Sequence, residues 1–178
     1  MNIGIAIDVG VVVALVAVVV AAAGQAVAGL GFSLIAVPFV SFATGPAAAV
    51  PTINLVAATL NVVMLLNERH GVRWRDALRL FIPAAIVIPV VGLAVNQLPT
   101  DALSILNGAT ILVATALLAT GARSHALRGR RGAVLAGAAS GAMNVATSVG
   151  GPPAAMYAIN ADWPAASYRP TLQAYFLG

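Results

Sequence analysis

Apolar residues in this chain form long runs, and polar residues collect in short segments between them. The runs cover residues 9–42, 46–66, 80–95, 102–120 and 133–159, and a further run begins near residue 165. About 20 apolar residues make a helix that crosses a bilayer, so the pattern predicts several membrane-spanning helices. Glycine and proline interrupt the runs 9–42 and 133–159. The length of 9–42 suits either one bent crossing or a hairpin, and this alternative stays open.

Composition agrees with a membrane protein. Hydrophobic residues make up 61% of the chain and charged residues 8%, whereas about a quarter of a soluble domain is charged. Within the first run, residues 11–23 followed by Ala26-Val27-Ala28 imitate a signal peptide with its cleavage site. Because no positive side chain precedes that run, we expect it to be retained as a span.

The basic residues are nine arginines, and eight of them lie in two clusters, residues 69–79 and 123–131. Cytoplasmic loops between spans are enriched in this way. We therefore expect the loops 69–79 and 121–132 to face the cytoplasm and the turn 96–101 to be external. Arginines confined to loops do not form a nucleic-acid surface, so nucleic acid is not an expected partner. The chain has no cysteine, and no metal or cofactor is expected.

A shift of 119 residues aligns two parts of the chain. It places Gly31 on Gly150, Pro51 on Pro170, Thr52 on Thr171 and Asn54 on Gln173. Internal repeats with helices broken at corresponding positions are typical of transporters and indicate the substrate site. We therefore predict an all-α, polytopic membrane bundle of two similar halves, residues 1–121 and 122–178. The second half is shorter, so we expect the chain to be a fragment.

The two breaks are the first candidate site. Backbone amides freed by a break must face protein or a water-filled cavity, and a helix that begins there presents its positive end to an anion. The candidate substrate-binding residues at the breaks are Gly29, Gly31, Ser33, Ser148, Gly150, Gly151 and Pro152. The alternative is that small residues only allow close packing, which is our interpretation of Gly137 and Gly141.

Polar residues aligned by the shift complete the candidate set. These are Thr52 and Asn54 in the first half and Thr171 and Gln173 in the second, with Arg169 beside them. A guanidinium fork suits a sulfonate, sulfite or carboxylate. Hydrogen bonding between helices is the alternative for the amides, and anchoring at the membrane interface is the alternative for Arg169.

Enzymatic chemistry has no candidate residues in this sequence. The predicted spans contain no pair of acidic residues, and His70 and His125 both lie in basic loops. General acid–base catalysis and a nucleophilic triad both need such groups close together. We therefore expect no catalytic site.

Two segments carry a family resemblance. Gly29-Leu30-Gly31 followed by Pro38, and Gly150-Gly151-Pro152-Pro153 followed by Tyr157, resemble the sulfite exporter TauE/SafE-like family of bacterial membrane transporters. The resemblance covers essentially the whole chain. It implies two similar halves in the bacterial inner membrane and transport of sulfite, sulfonates or related organosulfur anions.

The expected function is therefore a secondary carrier that exports a small anion. The alternative is a membrane scaffold or accessory subunit that transports nothing. The expected partners are the lipid bilayer and the anion. The identity of the anion, the coupling ion, the side of the N-terminus and formation of a homo-oligomer stay open.

Overall fold

The computed structural model describes residues 9–120 and 128–178, and the regular secondary structure of this part of the chain is all helical. It contains eight α-helices: α1 (Val9–Ala28), α2 (Phe32–Thr44), α3 (Pro46–Glu68), α4 (Trp74–Val95), α5 (Thr100–Thr120), α6 (Gly129–Thr147), α7 (Gly151–Asn160) and α8 (Ala165–Leu177). A turn of 3-10 helix, Arg69–Gly71, extends α3. Helices α1, α3, α4 and α5 are each long and apolar enough to cross a membrane. The prediction of an all-α membrane bundle is confirmed.

The first broken run folds into a hairpin, which decides between the two open alternatives. Gly24 of α1 lies against Ile35 of α2, since a Cβ at Gly24 would stand 3.7 Å from the Ile35 Cδ1 atom. Alanines on one face of α1, such as Ala21, pack with Phe32 and Ala36 of α2. The valines of α1 are largely exposed on the other face. Small residues thus let α2 return along α1.

Helices α4 and α6 run parallel and in close contact. A Cβ at Gly137 would overlap the Leu80 carbonyl, and one at Gly141 would stand 2.8 Å from the Ala84 Cα. The packing interpretation of these two glycines is confirmed. Because α4 and α6 are parallel, their arginine-bearing starts lie at the same end of the bundle, which we call the arginine-rich end.

Helices α3 and α8 run antiparallel. The Arg169 Nη2 atom lies 2.9 Å from the Glu68 Oε1 atom, so the start of α8 meets the end of α3. The backbone N–H of Arg73 also donates to the Thr171 Oγ1 atom. At the opposite end of α3, the Ser148 Oγ donates to the Val50 carbonyl at 2.9 Å. Helices α3 and α8 therefore begin at opposite ends of the bundle.

The boundaries of the basic loops differ from the prediction. Helix α4 begins at Trp74, so residues 74–79 of the predicted loop are helical. Asp76 in its first turn explains this, since it pairs with Arg73 at 2.8 Å and with Arg79 at 3.1 Å and favours the helix N-terminus. Helix α6 begins at Gly129, four residues before the predicted run. Residues 121–127 of the second loop, with Arg123 and His125, lie outside the described residues.

Candidate functional site

A cavity of about 340 Å³ lies between the two breaks. Its walls come from the turn between α1 and α2, the end of α6 with the turn that follows it, one face each of α3 and α4, and the last turn of α8. The two turns lie close together, since a Cβ at Gly151 would stand 4.0 Å from the Leu30 Cβ. We call this space the central cavity.

The two breaks begin with the same backbone conformation. Gly29 ends α1 with a left-handed φ of +78°, and Ser148 ends α6 with a left-handed φ of +59°. In each break the N–H of this residue donates at 2.7 Å to the carbonyl four residues earlier, that of Gln25 or Asn144. Gly29 and Ser148 are 119 residues apart. The breaks differ at the next glycine, because Gly31 has a φ of +103° whereas Gly150 has a φ of −81°.

Two helices begin at the wall of the central cavity. Helix α2 begins at Phe32 and α7 at Gly151, and no side chain of a described residue caps either start. The first N–H groups of a helix have no partner within it. Pro152 and Pro153 have no N–H, so most of the free donors belong to α2. The positive end of each helix dipole faces the cavity.

The polar side chains of the central cavity are amides and hydroxyls. Asn54 and Asn144 are half-buried in its wall. Gln25 and Asn61 are buried and bonded to each other, with the Gln25 Nε2 donating to the Asn61 Oδ1 at 2.9 Å. Among the described residues, the lining contains no charged side chain. An anion in this cavity would be held by dipoles and N–H groups.

Eight of the twelve candidate residues line the central cavity: Gly29, Gly31, Ser33, Asn54, Ser148, Gly150, Gly151 and Pro152. The Ser148 hydroxyl proton is already donated to the Val50 carbonyl. Its backbone N–H is also bonded, so Ser148 shapes the break and offers no further donor.

The other four candidates lie outside the lining. Thr52 is exposed and donates to the Ala48 carbonyl of its own helix at 2.8 Å. Thr171 accepts the Arg73 N–H. Arg169 pairs with Glu68. Gln173 is fully buried, and neither its Nε2 nor its Oε1 has a hydrogen-bond partner among the described residues.

Sequence reasoning did not select Gln25 or Asn144, which both line the central cavity. They are 119 residues apart, so the shift of 119 residues aligns one amide side chain with another. The same shift that paired Asn54 with Gln173 would have found them.

The two glycines at the start of α7 have different surroundings. A Cβ at Gly150 would stand 2.8 Å from the Asn144 Cβ and 2.9 Å from the Ser140 carbonyl oxygen, so packing excludes a side chain there. At Gly151 the nearest atom is the Leu30 Cβ at 4.0 Å. A Cβ at Gly151 therefore fits without overlap, and because Gly151 lines the central cavity, a longer side chain there would take up cavity space.

Comparison with known proteins agrees with this architecture. No curated protein and no solved structure matches the chain. The family model described as "Sulfite exporter TauE/SafE" matches residues 13–177, a range that contains both breaks and every residue of the central cavity except Gly178. A multi-pass helical bundle with this match is a membrane transporter, and the chain belongs to the sulfite exporter TauE/SafE family.

Proposed function

We propose that this transporter is a secondary carrier that exports a small oxyanion, such as sulfite, a sulfonate or another organosulfur anion, across the bacterial inner membrane. One observation carries the proposal: two helix starts without side-chain caps meet at a cavity whose described lining contains no charged side chain. This arrangement favours an anion over a cation.

Helix ends suit a carrier that must also release its substrate. Each helix start is equivalent to roughly half a positive charge, so α2 and α7 together supply about one. Sulfite and sulfonates present several acceptor oxygens to the N–H groups of Phe32, Ser33 and Gly151. Because no full positive charge is buried against the anion, the anion is held less tightly and is released more easily.

The size of the cavity bears on the substrate class. At about 30 Å³ per water molecule, the central cavity has room for roughly eleven waters. Sulfite would occupy a small part of it and retain some hydration. A sulfonate with a short organic group would also fit, with its apolar part against Phe81 and Ile88 of the lining.

We also propose that residues 1–121 and 122–178 are two copies of one motif. The helix boundaries support this, because α1 and α6 end 119 residues apart, α2 and α7 begin 119 residues apart, and so do α3 and α8. The opposite directions of α3 and α8 indicate that the copies are inverted. Superposition of residues 24–59 on 143–178 is the test, and a poor fit of the paired breaks would refute the repeat.

The test of the transport proposal is Gly151→Leu. Leucine would extend into the central cavity, so we expect anion flux to fall to the level of vesicles without protein. Gly108→Leu is the matched control, because Gly108 is exposed on α5 and a Cβ there meets no described atom within 4 Å. The measurement is efflux of radiolabelled sulfite from proteoliposomes that contain the full chain.

Normal flux in the Gly151 variant would refute the site. Loss of flux in both variants would mean that a leucine perturbs the bundle wherever it is placed. Absence of sulfite or sulfonate flux in the unaltered protein, with the fold intact by circular dichroism, would favour the scaffold alternative.

A further inference from the structure

A second cavity, of about 390 Å³, lies at the arginine-rich end of the bundle. It is lined by the end of α1, the end of α7 and the start of α8, and its largest side chains are Trp163, Tyr168 and Arg169. The Arg73 guanidinium carbon lies 5.6 Å from the centre of the Trp163 ring. We call this space the basic-end cavity.

The first break forms a wall between the two cavities. Gly29 lines the central cavity, and the preceding residue, Ala28, lines the basic-end cavity. A Cβ at Gly29 would overlap the Arg169 side chain. The absence of a side chain therefore lets Arg169 lie directly against the backbone of the break, where it faces the basic-end cavity.

Two N–H groups of this region have no acceptor among the described residues. The Trp163 Nε1 and the Arg169 Nε are both buried, and neither has a hydrogen-bond partner within residues 9–120 and 128–178. The Trp163 side chain is only 8% exposed. Buried donors without acceptors are rare in native proteins and each calls for an explanation. Both residues line the basic-end cavity, and a shift of each side chain towards the cavity would let a bound oxyanion accept these N–H groups.

The partner that Arg169 does have is replaceable. Arg169 and Glu68 form a single contact at 2.9 Å, and each side chain is 34% exposed. Ion pairs that are open to water stabilise a protein little. An oxyanion offers the guanidinium fork two oxygens instead of one. Asp162 also lines the basic-end cavity but is engaged in an interaction of its own within the protein.

One face of α8 connects the two cavities. Arg169, Gln173 and Phe176 follow each other at helical spacing and share this face. Arg169 lines the basic-end cavity and Phe176 lines the central cavity. Gln173 lies between them, fully buried and without a hydrogen-bond partner in the described part of the chain. On α8 this amide thus lies between a residue that lines one cavity and a residue that lines the other.

We propose that the basic-end cavity is a second binding site for a small soluble oxyanion, in which Arg169 exchanges the Glu68 carboxylate for the anion and Trp163 donates its indole N–H. The inference deepens the proposed function, because the exported anion would bind at the arginine-rich end before it enters the central cavity. It rests on the proposed function only for the direction of travel.

Trp163 makes binding at this site measurable without transport. The chain has two tryptophans, so Trp74→Phe leaves Trp163 as the only indole reporter. We expect sulfite and methanesulfonate to change the Trp163 emission saturably in non-ionic detergent, against sodium chloride at equal ionic strength. No saturable change with either anion would overturn the proposal.

Two variants separate an anion ligand from a structural ion pair. In the Trp74→Phe background, Arg169→Gln should weaken anion binding by about tenfold or more, because a charged hydrogen bond is lost. Glu68→Gln removes the same ion pair but should bind the anion equally well or more tightly. Equal loss of affinity in both variants would mean that the pair is structural and would refute the site. Arg169→Lys keeps a positive charge and provides an intermediate case if Arg169→Gln folds poorly.

Two further measurements distinguish a lipid headgroup from a soluble anion, and failure of this binding site from failure of the transport proposal. If phosphatidylglycerol in mixed micelles saturates the signal and sulfite cannot displace it, the ligand is a lipid headgroup and the proposal is wrong. Binding at Trp163 with no sulfite flux would leave this site standing and refute the proposed transport. Normal flux in Arg169→Gln without any Trp163 response would refute this site and leave the transport proposal intact.

Discussion

Replacement of Gln173 by leucine should stabilise the protein and slow transport at the same time. Gln173 is fully buried in α8, and its amide nitrogen and oxygen both lack partners among the described residues. Leucine has a similar length and no polar atoms, so the substitution removes two unsatisfied groups with little change in packing. A buried residue that lowers the stability of the protein in this way is expected to serve its function.

The magnitude follows from the two unpaired atoms. A buried polar atom without a partner costs about 1–3 kcal/mol. The lower bound applies here, because helices separated in a bilayer also lack water as a partner. Two atoms at about 1 kcal/mol give a gain of roughly 2 kcal/mol. For a chain of this length that corresponds to a rise of about 4–8 °C in Tm.

Gln25→Leu is the matched control. Gln25 is also buried, but its Nε2 donates to the Asn61 Oδ1 at 2.9 Å. The same substitution there leaves one atom, the Asn61 oxygen, unpaired, so at about 1 kcal/mol Tm should fall by about 2–4 °C. The two leucine variants are thus expected to change stability in opposite directions.

The assay is thermal unfolding of the detergent-solubilised protein by circular dichroism, paired with sulfite efflux from proteoliposomes. We expect Gln173→Leu to melt higher and to transport at least about tenfold more slowly. A lower Tm for this variant would refute the reasoning, because it would mean that the amide is stabilising where it stands. A higher Tm with unchanged flux would remove Gln173 from the transport path.

The remaining predictions concern topology and the glycines. The chain has no cysteine, so single cysteines can be introduced to test topology. Cysteines at the exposed positions His70 and Arg130 should resist an impermeant thiol reagent in intact cells, whereas a cysteine at Gln97 should label readily. Labelling at His70 or Arg130 would refute a cytoplasmic arginine-rich end. Gly137→Ala should lower stability by about 1–3 kcal/mol, because its Cβ would overlap the Leu80 carbonyl, and an unchanged Tm would mean that α4 and α6 separate readily. Gly31→Ala should cost about 1–3 kcal/mol through its φ of +103° alone, since no described atom lies within 4 Å of the new Cβ, and a neutral result by thermal unfolding would mean that the turn relaxes.

Sequence reasoning found the helices and the breaks because both depend on local chemistry. Long apolar runs form spanning helices, and Gly29 to Gly31 and Gly150 to Pro153 cannot continue a helix easily. It did not decide between a bent helix and a hairpin for residues 9–42, because that choice depends on the alanine face of α1 meeting α2. It also extended the first basic loop too far, since the ion pairs of Asp76 with Arg73 and Arg79 appear only once the helix has formed.

Part of the candidate site was predicted from the sequence because it, too, depends on local chemistry. Residues at the breaks line the central cavity because the breaks themselves form its wall. Thr52 and Thr171 were selected by alignment alone, and alignment cannot tell which face of a helix is turned inward. Thr52 is exposed on α3 and Thr171 bonds to the backbone of Arg73. Which side chains of a membrane helix face inward depends on how the neighbouring helices pack against it, and a single sequence does not show that arrangement.

The parallel contact of α4 and α6 has a consequence for biosynthesis. Gly137, which packs on Leu80, lies 57 residues further along the chain. At about 5–20 residues per second, it leaves the ribosome roughly 3–11 s after Leu80 does. Until then, the face of α4 with Leu80 and Ala84 must rest against lipid or the insertion machinery, and its apolar side chains tolerate both. Because α6, α7 and α8 supply the second wall of the central cavity, a nascent chain encloses no anion pathway before these three helices are inserted.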